Sequence, residues 1–267
     1  MSLMPTNTLT VALCPDAVGL VLQKMGSQAR CDRIDVIAKH EVAWRGAVDS
    51  LANWLTVNHI VGGRASVVVS SRFVRCALVP WPSTELKREE GSVWARFHLE
   101  TVHGDMTGWT EACDAGDFGQ ARVACALPAV FLRALSETLT ARRIAVEAIR
   151  PTFVSSWNAW RKRIKPGHFF GVAESDRLVL GCRGQRGWDS LRVLSAKCSC
   201  DELITLVRRE HVLMGQTGAP NAWLFTPGMA PIPSGAVVSG LDGIQWLQPD
   251  ESGSCPALVM AGLAAKK

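Results

Sequence analysis

The chain has 267 residues, a formal net charge of +5, 48% hydrophobic and 20% charged residues. Such a composition excludes a disordered chain, and so modest and dispersed an excess of charge excludes a basic nucleic-acid stripe. No apolar run is long enough to cross a membrane, and the start, MSLMPTNTLT, has neither the basic nor the apolar region of a signal peptide. The nine cysteines follow no framework spacing, and Cys76 and Cys125 sit inside apolar runs. They read as reduced thiols acting as small hydrophobes, which points to a reducing compartment.

Leu9–Cys14 and Ala17–Gln23 are apolar runs parted by Pro15-Asp16, the pattern of a hairpin. Ile34–Glu41 is expected as a third strand. A helix from Trp44 to about Asn58 buries Ala47, Leu51, Trp54 and Leu55. Gly62-Gly63 ends it, and Ala65–Ser70 follows as a strand. Val67, Val68 and Val69 in succession imply burial on both faces. Next comes Phe73–Val79, a second strand, stopped by Pro80-Trp81-Pro82. A helix is expected from about Ser83 to His103, with Leu86, Val93, Trp94, Phe97 and Val102 on its apolar stripe. Strands Trp109–Asp114 and Gln120–Leu127 complete a small unit across residues 71–127.

Pro128 suits the first helical position, and Phe131, Leu135 and Leu139 mark the helix it opens. Ala145–Ile149 is a strand. The helix after Pro151-Thr152 carries Phe153, Trp157, Trp160 and Ile164 on one side, and Lys165-Pro166-Gly167 ends it. Arg161, Lys162, Arg163 and Lys165 crowd that end. Cations there complement the helix dipole, and phosphate binding is the other reading. His168–Ala173, Arg177–Cys182 and Trp188–Leu194 form a second three-strand meander. Ser199 with Glu202 signals a helix start, followed by strands Asn221–Thr226 and Ile244–Leu247 and a last helix, Pro256–Ala265. Each half therefore reads β-β-β-α-β and then alternates. The expected class is α/β, with two ribonuclease-H-like units over 1–165 and 166–267 and a small α+β insert at 71–127 in the first.

Catalytic patterns are scarce. There is no G-x-x-x-x-G-K-[ST] loop and no G-x-S-x-G elbow. Gly181, Gly184 and Gly187 fit a hairpin turn. Cys198 and Cys200 with His211 lack the second pair that a zinc site needs, and His98 and His103 are not at helical metal spacing. No metal ligand and no catalytic residue is assigned.

The duplicated pattern with an early insert resembles the cytoplasmic actin-like proteins of the PilM type, with the GspL domains of type II secretion and the MshI-like pilus proteins. The resemblance spans nearly the whole chain. It rests on Val259–Lys266, similar to a closing A-x-G-L-A-L-R helix, on the segment from Cys125 through Phe131 to Ile149 and Phe153, and on Asn221–Gly228, similar to a strand with an L-x-G-G turn. Departures stand at the phosphate hairpins. The first normally reads D-I-G-x-x-x-x-K; Ala12, Cys14 and Gly19 occupy its aspartate, glycine and lysine places. The second normally starts D-I-G; Gly171 and Ala173 stand there. In the base turn Pro227 precedes Gly228. Magnesium needs carboxylate ligands and phosphate needs close backbone approach.

The resemblance thus implies a non-catalytic cytoplasmic scaffold, peripheral to the inner membrane through a partner, with no cofactor. It would bind the short cytoplasmic tail of an inner-membrane pilus or secretion protein and no nucleic acid. Arg72, Phe73, Arg75 and Trp81 are the expected partner surface, with the two aromatics exposed; the other reading is that Phe73 and Trp81 fill the insert's own core. The alternative is an ATP-binding or ATP-hydrolysing enzyme whose magnesium is held from Asp16 or Asp176.

Overall fold

The computed structural model describes residues 7–24, 26–37, 42–83, 86–114, 118–174, 176–227, 243–247 and 256–265. The first meander is β1 (Thr8–Leu13), β2 (Ala17–Gln23) and β3 (Arg30–Asp35). The third strand lies earlier than the expected Ile34–Glu41, whose residues 38–41 fall outside the described residues. Its charges explain why an apolar search passes over it. Arg30 pairs with Asp32 at 2.8 Å and Arg33 with Asp35 at 2.6 Å, on a strand at the sheet edge. Edge strands carry charge because their open backbone otherwise recruits other chains.

Helix α1 (Ala43–Val57) leads to β4 (Gly63–Val69), which runs parallel to β1, with Val67 opposite Val11. After the small unit come α3 (Ala129–Thr140) and β8 (Ile144–Pro151). Pro128 does not open α3 from inside; it closes the preceding strand and caps the helix in extended backbone. Phe131, Leu135 and Leu139 are buried as expected, and Phe131 meets Trp44 at 5.4 Å. The sheet order is β3-β2-β1-β4-β8.

The second meander, β9 (Phe169–Glu174), β10 (Arg177–Gly184) and β11 (Gly187–Ser195), is followed by α5 (Cys200–Leu213), β12 (Ala222–Phe225) and β13 (Ile244–Leu247). Its order, β11-β10-β9-β12-β13, repeats the first sheet's, with the same sequence of antiparallel and parallel pairs. Gly184 and Gly187 flank the two-residue turn of β10 and β11, as a hairpin requires. Helix α4 (Thr152–Trp160) precedes this half, so the Arg161–Lys165 cations lie just beyond its end.

The small unit is a separate sheet. A 3-10 turn (Ser71–Phe73) leads into β5 (Arg75–Val79), α2 (Arg88–His103), β6 (Trp109–Cys113) and β7 (Arg122–Pro128), ordered β5-β7-β6. Phe73 therefore belongs to the turn and not to the strand. Packing groups Met1–Phe73, Pro128–Ser155 and Pro249–Lys267 in one compact unit, and Val74–Leu127 with Ser156–Gln248 in the other. The small sheet thus clusters with the second large sheet. Helix α6 (Pro256–Ala265) clusters with the first, against β1, β2 and β4.

Helix α2 corrects the expected stripe. Ala95 and Leu99 face the small sheet, in a core with Ala77, Val79, Met106, Ala124 and Ala126. Val93 (69% exposed), Phe97 (55%) and Val102 (62%) point outward. The helix also starts later than Ser83. Glu90 takes the Lys87 backbone N–H at 2.8 Å and marks the first turn.

Candidate functional site

The two hairpins that a phosphate site would use are built differently from such a site. In the first, Ala12 pairs with Gly19 across β1 and β2, and Ala12 and Cys14 are buried. A Cβ on Gly19 would stand 2.2 Å from the Ala257 backbone of α6. The helix main chain fills the volume that a lysine side chain would need. In the second, Gly171 faces Leu180, and a Cβ there would stand 2.7 Å from Leu224 Cδ2. Ala173 is 2% exposed, in the core formed with Leu178 and Leu203. Methyl groups, a thiol and glycine backbone against packed atoms supply neither metal ligands nor open approach to phosphate, so these residues do not fit a magnesium–nucleotide group.

Asp16 and Asp176 are both exposed and lie between paired strands. The Asp16 carbonyl accepts from Val36 N at 2.8 Å, and that of Asp176 from Ala196 N at 2.9 Å, so both serve their turns through backbone. Among the described residues no three of His, Cys, Asp and Glu gather as metal ligands. His211 Nε2 instead meets the Gly218 carbonyl at 3.2 Å, and the Cys198 thiol is pushed up to about 11, chiefly by burial. Gly228 of the base turn lies outside the described residues.

The expected partner surface divides. Phe73 is 5% exposed and packs on Phe131 at 6.0 Å, so it is a core residue and its expected exposure fails. Arg72, beside it, is exposed. Arg75 is drawn into its own subunit of structure: Nη1 donates to the Asp105 carbonyl at 3.0 Å, and the guanidinium lies 4.1 Å from the Trp109 ring centre. Trp81 is half-buried, 5.0 Å from the exposed Phe118 ring, with the Arg122 guanidinium 5.7 Å from its own.

Trp81 and Phe118 border a groove of about 650 Å³ between α2 and β6. Gly91 and Ala95 form its helix wall; Glu111 and Cys113 form its strand wall. The strand β6 is an edge of its sheet, and its Glu111 and Cys113, with Arg122 of β7, line the groove under α2. Arg122 Nε also lies in this unit, buried and without a hydrogen-bond partner. The groove and the outward Val93 and Phe97 escape a sequence reading, since apolar residues on a helix are first assigned to its core.

Among solved structures, the chain is similar to the following three across almost all of its length. The first is a protein of Bacteroides thetaiotaomicron with an actin-like ATPase fold and unknown function: TM-score 0.61, 10% identity, 91% of each chain covered. The fold is actin-like. A PilM–PilN type IV pilus biogenesis complex gives 0.62 at 15% identity, covering 97% of this chain and 98% of the other. The cytoplasmic domain of EpsL, an inner membrane component of the Vibrio cholerae type II secretion system, gives 0.59 at 11%, covering 98% and 96%. No protein-family model matches the sequence, and no curated protein is similar to it at the sequence level. The separate three-stranded sheet after β4 is the structural feature on which the expected actin-like class depended.

Proposed function

We propose that the chain is a non-catalytic scaffold of a bacterial type IV pilus or type II secretion inner-membrane platform, binding the short cytoplasmic tail of a membrane-embedded partner. The observation that carries the non-catalytic reading is the filling of both hairpins, Gly19 by the backbone of α6 and Gly171 by Leu224. The platform is supported by likeness to the PilM–PilN complex and to the EpsL cytoplasmic domain. No described helix is long and apolar enough to cross a membrane; in this reading the partner is the link to the bilayer.

The groove beside β6 suits an extended tail. Such a groove chooses the sequence of a bound segment through its side-chain pockets. Trp81 and Phe118 offer an aromatic anchor, and Lys87, Arg122, Glu111 and Asp114 offer both signs of charge. The test is a pull-down with a synthetic peptide of the cytoplasmic tail of the inner-membrane protein encoded beside this chain. Wild type retains the peptide, and Trp81→Ala, checked by its melting curve, weakens binding by roughly 10-fold or more. Equal binding by the variant overturns the placement at Trp81. Absence of binding by both proteins overturns the partner.

A further inference from the structure

The cation run after α4 has no place in the scaffold reading. Arg161 and Lys162 line a second cavity, of about 560 Å³, together with Arg183, Trp157 and Trp188. Cavities of this size are typical of small-molecule sites. Arg183 is fixed by its own neighbours: Nη1 donates to the Ile164 carbonyl and, at 3.3 Å, to that of Arg161. Those bonds use Nη1 alone and leave Nε and Nη2 as donors. Arg161 and Lys162 form no ion pair among the described residues. Against three cations the lining holds one carboxylate, Asp114. Two indoles make the wall. The Trp157 ring lies 4.4 Å from Trp188 and 5.6 Å from Phe170, and the Arg183 guanidinium lies 5.8 Å from the Trp157 ring centre. His168 senses the same charge. Its imidazole is held below its ordinary value by desolvation and then by Lys165 and Arg183.

We propose that this cavity binds a phosphate-bearing ligand with a planar ring, the nucleoside-phosphate class, and that it does so without a metal ion. Three cations match a phosphate of charge near two better than a single carboxylate, and guanidinium and ammonium groups perform the neutralisation that magnesium performs elsewhere. The half-buried Trp157, backed by the buried Trp188 at 4.4 Å, gives a base an aromatic surface. All the lining residues belong to one compact unit, and none is a residue of the first phosphate hairpin.

The experiment is calorimetric titration of the full chain in EDTA with AMP, ADP, adenosine and inorganic phosphate. AMP and ADP are expected to bind, with adenosine weaker by roughly 10-fold or more. The double variant Arg161→Ala/Lys162→Ala, both positions exposed, is expected to lose a similar factor while melting as wild type does. Absence of nucleotide binding in EDTA overturns the proposal, and so does undiminished binding by the double variant. Inorganic phosphate binding as tightly as AMP means an adventitious ion only and overturns the ligand class. Nucleotide binding that requires magnesium and survives the double variant overturns the scaffold reading as well. Binding in EDTA that the double variant abolishes supports this cavity and leaves the scaffold reading intact.

Discussion

Gly19 occupies the place that the sequence resemblance assigns to a phosphate-hairpin lysine, and the Ala257 backbone would stand 2.2 Å from a Cβ there. Restoring lysine therefore restores nothing. Gly19→Lys is expected to force α6 off β2 and to destabilise the fold by about 1–3 kcal/mol. A lowered urea midpoint at unchanged slope checks this, and an unchanged midpoint means that α6 accommodates the side chain. Phe73 carries a related lesson. Its ring is apolar wherever it sits, and only the contact with Phe131 assigns it to the core. The thiols Cys76 and Cys125 face each other across β5 and β7 with sulfurs 3.2 Å apart. The hydrogen bond shared with Cys76, and then burial, push the Cys125 thiol up, as suits a neutral packing group.

Helix ends and faces were legible to different degrees. Ser199 caps α5 as its position before Glu202 implies, accepting from Glu202 N at 3.4 Å. The returning carboxylate bonds Lys197 N at 2.8 Å, two residues before the cap. Ser199→Ala is expected to cost about 1 kcal/mol. Equilibrium denaturation measures it, and a loss well below that value means that Glu202 alone holds the turn. Of the expected stripe on helix α2, Trp94 packs against the core while Val93, Phe97 and Val102 point outward, and Ala95 and Leu99, smaller in apolar bulk, take the buried face. The sheet beneath is lined by Ala77, Ala124 and Ala126, so small helix residues fit closely against it. The strand β3 escaped for the opposite reason, since edge position allows four charged residues in six.

At the scale of the molecule, two five-stranded sheets of one order and a third small sheet compose an actin-like chain. In that fold a magnesium–nucleotide ligand would stabilise by about 2.7 kcal/mol at 100 times its dissociation constant. For this chain, ATP with magnesium is expected to add nothing beyond what ATP gives in EDTA. Differential scanning fluorimetry with both arms measures the difference, and a magnesium-dependent rise in melting temperature overturns the scaffold reading.

The order of elements, the repeated meander, the hairpin turns and the buried faces of α1 and α3 follow from the sequence by itself. They rest on periodicity and turn chemistry, which are local. The departures of Ala12, Cys14, Gly19, Gly171 and Ala173 from the phosphate-hairpin pattern are also legible there, because residue identity is enough to show that a carboxylate is not present. Only the tertiary structure decided that α6 returns to cover Gly19, that Phe73 is core, and that α2 turns Val93, Phe97 and Val102 outward. It alone gathered Arg161, Lys162 and Arg183 with two tryptophans round one cavity. The reason is common to all of these. Which neighbour fills a given space depends on residues tens of positions away, and no local pattern encodes that contact.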